Sequence, residues 1–313
     1  MSRQRRFLRR VLWLLAFACA FACAAPAFAQ KAFGVDPVAP GPPAATGTEQ
    51  ALVARYWALG RPRFFFGTTL EAGYAYVRPR FGVGYGLPYW RWIGLETYPI
   101  VSLGSVGGYA GIGAAVPGLQ FRAGGRYTFP FSRFYLQPRE SFTRFDTELR
   151  EGDRATYLSL EAELSGTVPV PAGSLFAVAT AYRVMMVPDG FYLYEENLRQ
   201  VMKPPYIWRG RLGYLFAFGR DAAIRLGPVG DLIGLPGRDE FVVRAGVVAS
   251  VSIDAHLDAQ ASLVPVIVSP DSLGLAGADF GQLGVRFRWA TGSTPDPEAV
   301  RREREKAIER VEE

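Results

Sequence analysis

From Arg63 to Ala290 apolar and polar positions alternate with a period of two. Phe64, Phe66, Thr68, Leu70, Ala72, Tyr74 and Tyr76 are interleaved with Gly67, Thr69, Glu71 and Gly73. Leu119, Phe121, Ala123, Tyr127 and Phe129 are interleaved with Gln120, Arg122, Gly124 and Arg126, and Tyr157 to Ser165, Trp208 to Phe218 and Val243 to Asp254 repeat the form. Successive strand side chains point to opposite faces, so each segment has one apolar face and one polar or small face. The pattern predicts strands near 63–77, 80–97, 105–116, 119–129, 142–150, 155–168, 174–187, 206–218, 222–230, 240–253, 257–268 and 279–290. That is about twelve strands, within a range of ten to fourteen, with boundaries good to about four residues.

Two long uncharged stretches, Thr97 to Phe121 and Ser165 to Tyr182, have the look of membrane helices. Their glycines and prolines argue otherwise: Gly104, Gly107, Gly108, Gly111, Gly113 and Pro117 in the first, Gly166, Pro169, Pro171 and Gly173 in the second. Each glycine costs a helix about 1 kcal/mol and each proline about 3, so both stretches read as hairpins.

Alternation fits both a soluble sandwich, with its apolar faces packed together, and a membrane barrel, with its apolar faces toward lipid. Three features favour the barrel. Aromatic residues gather at strand ends (Phe64, Phe66, Tyr74, Tyr76, Tyr89, Trp90, Trp92, Tyr127, Phe129, Trp208, Tyr214, Phe287 and Trp289), as interfacial girdles require. The opposite face carries charges flanked by glycine, which a soluble core does not tolerate. The segments are also as long as tilted membrane strands. The fold class expected is an all-β, antiparallel transmembrane β-barrel with a short C-terminal helical tail. An even strand number puts both chain ends in the periplasm; connections 188–205, 231–239 and 269–278 are then long and external, and 169–173, 219–221 and 254–256 short. The expected connection 130–141 is long on the wrong side.

The chain ends divide the rest. Residues 1–29 read as a signal peptide, with a basic head, the apolar run Val11 to Ala25, and small Ala27 and Ala29 before the cleavage point. Residues 30–62 are a Pro/Ala-rich linker with a short helix as one reading of Glu49 to Leu59, and 63–290 form the barrel. Residues 291–313 open with Pro295, Asp296 and Glu298 and continue as a charged helix, solvated in the periplasm or docked on a periplasmic partner.

Composition then narrows the function. Lysine plus arginine number 35 against 29 acids, but Arg3, Arg5, Arg6, Arg9 and Arg10 lie in the signal segment; the exported part holds 30 against 29. That balance excludes a phosphate-neutralising surface, and nucleic acid as a partner with it. Cys19 and Cys23 are confined to the same segment, and His256 is the single histidine. No cysteine site, two-histidine metal centre or resident cofactor is expected.

The end of the barrel resembles a known family. Gln282, Gly284, Phe287 and Trp289, in the run Gln282-Leu283-Gly284-Val285-Arg286-Phe287-Arg288-Trp289, match the assembly signal of bacterial outer-membrane β-barrels: polar, x, Gly, x, x, aromatic, x, aromatic. The resemblance implies recognition by the barrel-assembly machinery and insertion among the lipids of the cell outer membrane. Many family members end at that aromatic residue, whereas this chain continues to Glu313.

Strand parity also proposes a lumen: Glu71; Arg122 and Arg126; Arg144, Asp146, Glu148 and Arg150; Glu161 and Glu163; Arg183; Arg209 and Arg211; Arg244, Asp254 and Asp258; Arg286 and Arg288. Ten arginines against seven acids suit an Arg–carboxylate filling or a narrow channel for small anionic solutes. Two further readings stand beside the non-enzymatic channel. One is a surface-recognition barrel acting through the aromatic loop 188–205, which alternatively folds inward as a constriction. The other is a membrane-embedded hydrolase using His256 with Asp254 and Asp258. The glycines of Gly82 to Gly86 and Gly108 to Gly113 are small residues in strands rather than nucleotide loops.

Overall fold

The computed structural model describes residues 56–73, 76–102, 104–148, 152–219, 223–279 and 283–292. The expected signal peptide, most of the linker, the tail from residue 293, Arg150 and Gln282 lie outside the described residues.

Among the described residues twelve antiparallel strands close into a barrel. They are β1 (Arg63–Gly73), β2 (Tyr76–Leu87), β3 (Arg91–Ser102), β4 (Ser105–Val116), β5 (Leu119–Pro130), β6 (Tyr157–Val170), β7 (Gly173–Met185), β10 (Tyr206–Phe218), β11 (Ile224–Leu235), β12 (Glu240–Ser252), β13 (Leu257–Leu263) and β15 (Gly284–Ala290). β13 resumes beyond Pro265 as β14 (Val266–Val268), and the extra hairpin β8 (Leu193–Glu195) with β9 (Gln200–Met202) stands apart from the wall. The last strand closes the cylinder on the first, with Gly67 opposite Ala290 and Gly73 opposite Gly284. Closure pairs the ladder all round and leaves no sheet edge for lipid to meet.

The barrel is apolar outside and charged inside. Val83, Leu95 and Ile112 form one lateral row on β2, β3 and β4, each at least half exposed. One residue along, Glu96 of β3 is buried on the inner face, as are Arg126, Asp231, Arg244 and Asp258 from other strands. A water-soluble sandwich reverses this arrangement. The molecule is therefore a transmembrane β-barrel of the outer-membrane kind.

Two compensating errors lie under the expected strand count. The expected strand 80–97 is two halves of separate strands, because Leu87-Pro88-Tyr89-Trp90 is a tight turn; Pro88 has no N–H for a ladder, and Tyr89 takes a φ of 58°. The expected strand 142–150 instead contains a short helix, α1 (Arg144–Glu148). Thr143 opens it, accepting from the Asp146 amide while Asp146 Oδ2 accepts from the Thr143 amide at 2.7 Å, and this reciprocal cap outcompetes the strand. With both corrected, connection 131–156 moves to the long-loop end. There it joins the long connections 186–205 and 264–283, while the connections at the opposite end, 88–90, 117–118, 171–172, 219–223 and 253–256, have at most five residues. Long loops outside and short turns in the periplasm orient the barrel.

The principal apolar core lies inside the barrel's external half. Val184, Ile207, Ile233, Leu235 and Val242 face inward from β7, β10, β11 and β12, where the inner face turns from charged to aliphatic. Leu193, Leu198 and Met202 of the β8–β9 segment pack against them and are fully buried. Each such side chain contributes about 1.5–3 kcal/mol of transfer free energy, so the hairpin is a fixed part of the interior. A second cluster, Leu136, Phe142, Tyr194, Val201 and Leu273, joins three external loops above it.

Candidate lumen and its charge ladder

Strand register sets the charges opposite one another. Glu71 of β1 pairs across the ladder with Arg78 of β2 on one side and Arg286 of β15 on the other. It bonds Arg78, lies 3.4 Å from Arg80, and its Oε1 is 3.2 Å from Arg286 Nε. Asp231 of β11 sits between Arg211 of β10 and Arg244 of β12, and accepts from Arg211 Nη2 at 2.7 Å. Asp258 of β13 lies opposite Arg286 and holds Arg288 Nη1 at 2.6 Å. Arg122 of β5 donates to Glu163 of β6, its register partner, at 2.6 Å and lies 4.0 Å from Glu96. Directly opposed ions on neighbouring strands have their Cβ atoms about 5 Å apart, so the network follows from the ladder.

The hairpin is tied into this network. Arg126 of β5 bonds Glu161 and donates to Glu195 Oε1 at 2.6 Å. Glu195 also accepts from the Tyr157 hydroxyl at 3.1 Å and from the Leu198 amide at 2.6 Å. A buried carboxylate needs such a set of donors, and this one has it. Arg244 donates to the Leu198 carbonyl. Outside, Arg133 reaches Glu196 at 3.3 Å and lies over the Tyr194 ring. In this loop burial pushes the Glu196 carboxyl up, opposed by the Arg133 charge.

Beside the hairpin a cavity of about 890 Å³ runs the length of the barrel. Its lining extends from Tyr89, Trp90 and Pro117 at the periplasmic turns to Glu196, Asn197 and Arg199 at the external end. Ten arginines and six carboxylates line it, with no lysine. Glycines thin the β2–β4 wall and aromatic rings lie down on them. A Cβ on Gly113 would stand 2.7 Å from Trp92 Cη2. At the periplasmic mouth Trp57, Phe65, Tyr89 and Trp92 cluster.

The expected inward residues fall into three groups. Glu71, Arg122, Arg126, Glu161, Glu163, Arg209, Arg211, Arg286 and Arg288 line the cavity, and Arg244 and Asp258 are buried on the inner face. Arg144, Asp146 and Glu148 do not reach the lumen: they ride on α1 in the external loop, where Asp146 pairs with Arg139 and Arg144 with Glu148. Arg183 is exposed on the outer face near the external end of β7, because Tyr182 and Val184 take the inward positions. Of the expected assembly residues, Phe287 and Trp289 face outward, with Gly284 in the seam against Gly73. Tyr76, Tyr89, Trp90 and Trp92, expected in the outer girdle, line the cavity instead.

His256, Asp254 and Asp258 do not converge. The His256 ring packs against Tyr56, Trp57 and Phe287, with Nδ1 2.9 Å from the Arg288 carbonyl. Asp254 accepts from two backbone amides of its own turn, and Asp258 is committed to Arg288.

Sequence reasoning missed Arg78, Arg80, Glu96 and Asp231, all on the inner face. Tyr76, Arg78, Arg80, Gly82 and Gly84 alternate with Val77, Pro79, Phe81 and Val83, so the signal for the first two was present. Reading residue 80 as a strand start concealed it.

No family model matches the sequence, and no curated protein matches it. Solved structures with a similar arrangement include a KdgM porin in complex with disordered oligogalacturonate, at 10% identity over 72% of this chain and 96% of that one, with a TM-score of 0.34. A NanC porin is similar at 10% identity over 73% and 98%, with a TM-score of 0.31. BamA from Haemophilus ducreyi lacking POTRA domains 1–3 is similar at 10% identity over 74% and 70%, with a TM-score of 0.34.

Proposed function

We propose that this protein is a non-enzymatic, narrow outer-membrane channel preferring small anionic solutes, narrowed by the β8–β9 hairpin. The observation carrying this reading is the lengthwise cavity whose wall holds ten arginines against six carboxylates. A low-dielectric wall focuses that excess charge and raises the local anion concentration. The aromatic loop supports constriction over surface recognition, since Leu193, Tyr194, Leu198, Val201 and Met202 are buried within the external half. The outward row Leu283, Val285, Phe287 and Trp289 on the closing strand fits recognition by the barrel-assembly machinery, with outer-membrane lipid as the lasting partner.

The test is the reversal potential of the purified protein in planar bilayers under a potassium chloride gradient. A value of the sign for chloride-preferring conduction is expected. Absence of conductance steps, or a cation-preferring sign, overturns the reading.

A further inference from the structure

Most lumenal arginines are neutralised within the wall, and Arg209 is an exception. Among the described residues it makes no ion pair, and its Nε is buried without a hydrogen-bond partner. It lines the cavity in one lateral row with Thr180, Glu163 and Arg122, two strands from Glu163, which places their backbones about 10 Å apart. Arg122 spends its Nη2 on Glu163, yet its Nη1 is buried with no hydrogen bond. Arg80 has the same surplus at its Nε, and its guanidinium lies 5.0 Å above the Tyr98 ring. Arg80 and Arg122 line the same cavity as Arg209. Glu96, Glu71 and Glu161 are other carboxylates nearby; Glu71 already serves Arg78 and Arg286, and Glu161 serves Arg126.

We propose that Arg80, Arg122 and Arg209 form a binding site for a small oxyanion, carboxylate or phosphate, inside the lumen. Three buried N–H groups on one cavity are donors that water or an anion must satisfy, and planar guanidinium groups match carboxylate and phosphate oxygens. The half-buried Trp92 ring beside Gly113 supplies an apolar surface on the same cavity for the carbon part of an organic acid or phosphate ester. The site deepens the channel reading and rests on it for the solute's passage, but binding itself does not require conduction.

The experiment is calorimetric titration of the full-length protein in detergent, with inorganic phosphate in one series and succinate in another. Parallel bilayer recordings follow chloride conductance as each anion is added. Saturable binding of at least one anion is expected, weakened about tenfold or more in Arg209→Gln, the loss typical of one charge-assisted hydrogen bond. Arg144→Gln on α1 is expected to bind as the wild type does. The tighter series assigns the site to phosphate or to carboxylate. If Arg209→Gln does not assemble, Arg80→Gln carries the same expectation. No binding of either anion, or equal binding by wild type and variant, overturns the site. Arg209-dependent binding in a protein without conductance supports the site and overturns only the channel reading.

Discussion

Arg126 of β5 and Glu195 of β8 form a buried ion pair, Nη2 to Oε1 at 2.6 Å, that joins the barrel wall to the hairpin inside it. Removing one partner of such a pair leaves a desolvated charge, which costs about 3–5 kcal/mol when nothing else compensates. Glu161 still bonds Arg126, so Glu195→Ala is expected to cost about 3 kcal/mol, near the lower limit. The loosened hairpin is expected to raise single-channel conductance. A lower temperature for the heat-dependent shift in gel mobility checks the first expectation and bilayer recordings the second. Unchanged conductance with a lost pair would refute the constriction.

Arg238 holds the external cap together from the β11–β12 turn. It donates to Asp271 at 2.6 Å, to the Val201 carbonyl at 3.1 Å and to the Glu140 carbonyl at 3.0 Å, and faces the Phe142 and Tyr192 rings. Arg238→Ala therefore frees three loops at once. Limited proteolysis of proteoliposomes is expected to cut 131–156 or 264–283 in the variant while the strands stay protected. Equal resistance of variant and wild type would show that the apolar loop cluster suffices alone.

Leu95 is 64% exposed in a row with Val83 and Ile112, on the face assigned to lipid. Arginine at the bilayer midplane costs a barrel about 2–4 kcal/mol. Leu95→Arg is expected to lose that amount in equilibrium unfolding from lipid vesicles, whereas Phe64→Arg near the rim loses less. A neutral Leu95→Arg would contradict the membrane placement.

Helix α1 carries its own pH dependence. The Thr143 amide and hydroxyl, then Arg139, hold the Asp146 carboxyl below its ordinary value. A carboxyl depressed in the folded state stabilises fully above the unfolded pKa of about 4, and the contribution disappears as pH falls through the lower folded value. The backbone carbon shifts of 144–148 are therefore expected to stay helical near neutrality and move toward coil in acid, with Asp146→Asn shifted already at neutral pH. Helical shifts retained in both proteins down to pH about 2 would remove the carboxylate from the account.

Much of the wall was legible because a strand writes its two faces directly into the chain. Arg122 and Arg126 alternate with Phe121 and Tyr127, and the structure places the first pair on the cavity and exposes the second. Glu161 and Glu163 against Leu160, and Arg286 and Arg288 against Val285 and Phe287, follow the same rule. The readings failed where one local choice decided several residues. Starting a strand at residue 80 hid Arg78 and Arg80, and reading through the Pro88 turn put Trp92 on the outer face, while the Thr143–Asp146 cap withdraws Arg144, Asp146 and Glu148 from the interior. Arg183 near a strand end was placed inward by parity, but its neighbours Tyr182 and Val184 take the inward positions in the apolar core.

By itself the sequence determined that this chain builds strands with one greasy and one charged face, since period and residue type are local properties. The tertiary structure decided which charges meet: Glu71 with Arg286 and Asp231 with both Arg211 and Arg244 are products of closure and register. It alone decided, too, that residues 193–202 turn inward, because the aliphatic patch receiving them is assembled from four strands and Ala155–Tyr157. No window of sequence contains that surface; it exists only once the cylinder has closed.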